Sequence, residues 1–191
     1  MKQQIRELAR NWDKYLHLKG REHWRIDGVQ DPRAFFAALP IIFPIGSTLM
    51  FEGLAIGDRA RALFREKAAL SARRVACDTL DPIPEAFHVI FDQDLAERLC
   101  AIMATTGVDS CCCHFKGYSE NQIIFTFHGA FEESLVLSIN LPEEAVRDFS
   151  ERLGLQVVRD SFPTDPRVLL EQMDRSLNPT FWQRARRLIF G

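Results

Sequence analysis

Three of the chain's five histidines, His88, His114 and His128, lie in stretches of alternating apolar residues, and each takes the polar parity of its stretch. Imidazoles gathered on one face of a sheet can act as general acid and base near neutral pH, or hold a metal ion. Whether they meet depends on a hairpin register. With His114 opposite Thr126, His128 lies one diagonal step away. With His114 opposite Ile124 the two rings stay apart, and a one-residue slip turns either set to the other face. The plainer reading is a half-covered sheet whose outer face tolerates His and Thr because water reaches it.

The cysteines point to less chemistry. There are five, and Cys111, Cys112 and Cys113 are consecutive, whereas structural zinc sites use spaced C-x₂-C pairs. An odd number with no export signal reads as free thiols in a reducing compartment. No metal is expected, and no cofactor. The phosphate-binding loop G-x-x-x-x-G-K-[ST], the dinucleotide fingerprint G-x-G-x-x-G, the zinc motif H-E-x-x-H and the nucleophile elbow G-x-S-x-G are all missing from the sequence. No catalytic residue is therefore nominated.

Charge is more informative. Residues 1–75 hold 14 Lys and Arg against 8 Asp and Glu, and residues 76–178 hold 7 against 18. The acidic stretch sets Asp92, Asp94, Glu132, Glu133, Glu143 and Glu144 in loops and helix starts. Such a surface suits a basic protein partner, whose approach it would steer. A local explanation competes: acids belong at helix N-termini because of the macrodipole, which accounts for Asp94, Glu143 and Glu144. The basic residues of the first part are interleaved with acids and have no aromatic platform beside them, so nucleic acid is not an expected partner. The tail from Phe181 to Phe190 is basic and amphipathic, and docking that buries Phe181, Trp182 and Leu188 is its expected fate.

These residues need elements to carry them. A chain of 191 residues suits one domain able to bury a core without staples. The first residues contain no apolar h-region. The longest apolar stretch, residues 34–45, falls short of the roughly 20 residues of a membrane span and is broken by Pro40 and Pro44. A cytoplasmic protein without a membrane span is the expectation.

Ile5, Leu8, Trp12, Tyr15 and Leu16 predict a helix over 1–18. Asp31-Pro32 starts a second helix, stopped at Pro40. A strand over 47–56 precedes a helix opened by Asp58, with Ala60, Leu63 and Phe64 on one side. A strand over 87–91 leads to a capping-box pattern at Asp94 and Glu97, and Gly107 lies past the end of that helix. Strands over 110–115, 122–128 and 135–139 follow, the first two joined by a turn of Gly117, Ser119 and Asn121. Their core face is Phe87, Val89 and Phe91; Cys111, Cys113 and Phe115; Ile123, Phe125 and Phe127; Leu135, Leu137 and Ile139. A helix from about Asn140 to Gly154 and short helices after Asp165 and Asn178 complete the pattern.

Strands separated by helices suggest a parallel pair, and the hairpin is antiparallel. The expected class is α+β, a mixed, partly antiparallel sheet of four to five strands packed with helices. One domain over 1–191 is expected, with helical end segments at 1–45 and 161–191 and the sheet within 46–160. The functional expectation is a non-catalytic protein-interaction module of the inhibitor or immunity kind, capping a basic effector through its acidic surface. The alternative is a small enzyme or ligand sensor on the His88, His114 and His128 face.

Overall fold

The computed structural model describes residues 22–70, 77, 83–119 and 122–161. The helices expected over 1–18 and after Asp165 and Asn178, the tail from Phe181 to Phe190, and the turn residue Asn121 lie outside these residues.

Helix α1 (Pro32–Ala38) starts as the sequence implies. The Asp31 carboxylate accepts the Arg33 N–H at 2.8 Å, and Pro32 sits where a missing donor costs nothing. The chain tightens into a 3-10 turn, Leu39–Ile41, around Pro40. Strand β2 is Thr48–Gly53, and helix α2 (Asp58–Glu66) buries Ala60, Leu63 and Phe64, the expected stripe. Strand β3 (Glu85–Ile90) leads into helix α3 (Gln93–Thr106), which ends on Gly107.

The strand expected over 110–115 is displaced: β4 runs His114–Ser119. Val108–Ser110 winds into a 3-10 turn, and the N–H groups of Cys111 and Cys112 both donate to the Val108 carbonyl. Backbone groups spent on a turn are not free for a ladder. Gly117 therefore lies inside a strand rather than in a turn, and Cys112 is fully buried while Cys113 is half-exposed. Strands β5 (Gln122–Phe127) and β6 (Leu135–Ser138) follow as expected, whereas helix α4 (Glu143–Arg152) starts three residues after Asn140, with Pro142 at its cap position and no side-chain cap hydrogen bond. Two strands were not expected. Glu22–Ile26, within the stretch assigned to a helical segment, is β1, and Val157–Ser161 is β7.

Among the described residues the strands form one seven-stranded sheet in the order β3-β2-β4-β5-β6-β1-β7. Every pair is antiparallel, so the sheet is not mixed and holds more strands than expected. Parallel direction holds for some of the helix-linked strands, but none of these parallel strands are neighbours. The registers make β3 and β4 run the same way, joined across α3, yet β2 occupies the place between them. Strands β6 and β7 are joined across α4 in the same manner, with β1 inserted. A helix crossover fixes the direction of the returning strand but not its hydrogen-bonding neighbour. Between β2 and β3 the direction reverses because residues 67–69 make an extra pass along the outer edge of β3. The Ala69 N–H donates to the His88 carbonyl and the Ile90 N–H to that of Lys67.

The helices share one layer on one face of the sheet. Between them and the sheet lies a phenylalanine-rich core. Phe115, Phe125 and Phe127 from the central hairpin are fully buried against Phe35, with ring centroids 5.6–5.9 Å apart. Among the described residues no helix is long and apolar enough to cross a membrane.

Candidate functional site

The opposite face of the sheet carries the histidines. Residues opposite Met50 are His88 on β3 and Lys116 on β4, and Glu52 faces His114. Phe115 pairs with Phe127, so continuing that register sets His128 opposite His114. Neither register weighed above is the real one, because β4 extends toward Ser119 and shifts the pairing. The His114 and His128 rings stack nearly parallel, 3° apart in plane and 3.8 Å between centroids.

His88 does not join them. It lies two strands from His114, about 10 Å away by strand spacing alone, and its Nδ1 is 2.7 Å from the Tyr118 hydroxyl. Burial pushes the Tyr118 phenol up to about 12, against a lowering hydrogen bond with Thr48. Nor is this face uniformly wet. Glu52 is fully buried, and Lys116, His23, Ser138 and Tyr118 are nearly so.

Imidazole lone pairs lie in the ring plane, so two parallel stacked rings do not converge on one ion at the roughly 2.1 Å that ligation needs. Among the described residues no group of three or more His, Cys, Asp and Glu is arranged to hold a metal. Cys111 and Cys112 are poor nucleophiles: burial pushes Cys111 up to about 11 against a lowering bond from Ser110, and raises Cys112 well above its ordinary value.

The acidic candidates do not form one surface. Asp92, Asp94, Glu143 and Glu144 lie at the sheet end where α3 and α4 begin, whereas Glu132 and Glu133 lie at the other, between β5 and β6. Asp92 and Asp94 are both occupied, since Lys67 Nζ stands 2.8 Å from a carboxylate oxygen of each. Arg98 reaches Asp94 at 3.2 Å as well as Glu66 at 2.6 Å. Glu143 is paired with Arg147 one turn along.

The helix cap is Asp92, not Asp94: its carboxylate accepts the Leu95 N–H at 2.7 Å. Burial would raise the Asp92 carboxyl, but the hydrogen bonds from Lys67 and Leu95 outweigh it and hold it below the ordinary range. Lys67 and Arg98 lower Asp94. Asp92→Ala is therefore expected to cost about 1 kcal/mol in urea unfolding at neutral pH, and Asp94→Ala less. The Asp92 contribution is present above the ordinary carboxylate range and fades as pH falls through its depressed folded value.

Glu132 and Glu133, like Glu144 on α4, differ from the other three. Both are exposed, and among the described residues no cation pairs with either. The turn that carries them is tied down at several points. The Gly129 N–H donates to His114 Nδ1 at 2.7 Å and the Ala130 N–H to the Cys113 carbonyl at 2.8 Å. The N–H groups of Glu132 and Glu133 both donate to the Gly129 carbonyl, and the Ser134 hydroxyl donates to Asp27 at 2.5 Å.

Gly129 has φ 58°, and the Glu133 side chain crosses the place a β-carbon would occupy there. Phe131 has φ 64°, a left-handed backbone that a bulky residue rarely adopts. Its ring is nearly buried, 5.0 Å from Phe127 and 5.6 Å from Phe35, and that burial offsets the backbone cost. The sequence places the two acids in a loop but carries no signal for the Phe131 anchor, the His114 tie or the Lys67 pairs. Each depends on residues brought together from separate strands. Comparison with family models, curated proteins and solved structures finds no match to this chain.

Proposed function

We propose that this protein is a non-catalytic interaction module, of the inhibitor or immunity kind, that caps a basic protein partner through its acidic surface. The observation that carries the reading is the turn at 129–134: two exposed carboxylates with no cation beside them among the described residues, on a backbone fixed by hydrogen bonds and by a buried aromatic anchor. A pre-ordered acidic turn loses little entropy when a partner docks. Charge supports the same reading, since the described residues hold 18 Asp and Glu against 11 Lys and Arg. Asp92, Asp94 and Glu143 spend their charge locally, which moves the weight of recognition onto Glu132 and Glu133, with Glu144 open on α4.

The test is affinity capture from the native cell followed by stopped-flow association with the captured protein. Glu132→Lys with Glu133→Lys should slow association by an order of magnitude or more, while changing stability by less than about 0.5 kcal/mol. The effect should shrink as added salt draws the Debye length below about 10 Å. Asp94→Lys with Glu143→Lys serves as the comparison and should slow association less. Equal rates for the wild type and both double variants, independent of salt, would sink the reading. They would favour a small enzyme or ligand sensor on the polar face, for which the support is the buried Tyr118 hydroxyl bound to His88.

A further inference from the structure

The bond from the Gly129 N–H to His114 Nδ1 fixes the protonation state of that ring. A nitrogen that accepts a hydrogen bond carries its lone pair, so the neutral ring holds its proton on Nε2. A second proton can enter only at Nδ1. It would set two donors against each other at 2.7 Å, and the bond to the turn would be lost. The ring is half-buried, and the exposed His128 ring lies stacked over it. The other titratable groups near His114 among the described residues are Glu52, opposite it on β2, and Lys116, two positions along β4. Beyond these are Cys113 beside it and Glu133, whose side chain folds over Gly129.

We propose that His114 is a pH-operated latch on the 129–134 turn, closed when the ring is neutral and released when it is protonated. The sign follows from linkage. The open turn lets His114 take a proton that the closed turn refuses, so acid favours opening. As pH falls below the ordinary imidazole range near about 6.5, the opening constant rises by up to tenfold per pH unit. Because Glu132 and Glu133 ride on this turn, the latch makes the acidic surface available near neutral pH and dissolves it in acid. This last consequence rests on the function proposed above; the latch itself does not.

The experiment uses the free full chain and no partner. Amide hydrogen exchange is followed by NMR from about pH 7.5 to about pH 5, and each rate is divided by its intrinsic value at that pH. Protection at Gly129 and Ala130 should fall tenfold or more across the range, while the amide of Leu99 in the middle of α3 holds steady. His114→Asn places an amide oxygen where Nδ1 stood and does not titrate, so it should keep Gly129 protected and flatten the profile. His128→Asn should leave the pH dependence in place.

If His114→Asn does not fold, the wild type still decides. The His114 ring shifts and the Gly129 amide shift must then titrate with one midpoint. A flat wild-type profile, separate midpoints, or an undiminished pH dependence in His114→Asn would overturn the latch. A failure of the proposed function shows elsewhere, as partner association indifferent to the Glu132 and Glu133 reversals.

Discussion

Replacing Phe125 by Ala should lower the free energy of unfolding by about 3–5 kcal/mol, measured from urea midpoints at constant slope. The ring is fully buried at the centre of the sheet and meets Phe43, Phe115 and Phe35 edge-on, with centroids 5.4, 5.7 and 5.9 Å away. Aromatic neighbours on several sides leave little that can collapse into the void, which argues for the upper part of the range. A loss under about 1 kcal/mol would show that this ring does not sit in a close-packed core.

The second large effect comes from adding a single carbon. Gly117 lies inside β4, opposite Phe125, and the Phe125 ring lies across it. A β-carbon at position 117 would stand 2.1 Å from one edge carbon of that ring and under 3 Å from two others. Gly117→Ala must therefore push the ring off its seat, at a cost of about 3 kcal/mol, the high end for overpacking.

The two substitutions should not add. With the ring already gone in Phe125→Ala, the extra methyl enters vacated space and should cost almost nothing. The double-mutant cycle should thus return a coupling energy near the whole Gly117→Ala penalty. Additive losses would mean that Gly117 serves the backbone at the adjoining bulge, between Gly117 and Tyr118, rather than the ring.

Both effects hang on one hairpin, and that hairpin marks how far the sequence could be read. Alternation put Ile123, Phe125 and Phe127 on the core face. Phe125 and Phe127 are fully buried there because a period-two pattern is a property of neighbouring residues. The bulge beside Gly117 and Tyr118 breaks the alternation, and Ile124 rather than Ile123 packs against the core. The same pattern misled over 110–115. Three cysteines are as compatible with a tight turn as with a strand, and only the hydrogen bonds from Cys111 and Cys112 to Val108 decide. With the strand displaced, Gly117 moved from turn to strand and the histidine register moved with it.

Local chemistry by itself determined the α+β class, the helix starts at Asp31-Pro32 and Asp58, the stripe of Ala60, Leu63 and Phe64, and the end at Gly107. A cap, a stripe and a terminator are written within about four residues, the range over which a helix satisfies itself. Tertiary structure alone decided the rest. Strands β1 and β7 are five residues each, and β1 pairs with β6 more than a hundred residues away, so nothing beside them announces a strand. The insertion of β2 between β3 and β4 turned an expected parallel pair into an antiparallel sheet. The division of the six acidic candidates was settled in the same way. Lys67, 25 residues before Asp92, occupies the carboxylates at the start of α3, while the fold brings no cation among the described residues to Glu132 and Glu133. Pairing of charges and of strands is a matter of distance in space, and a sequence carries distance only along the chain.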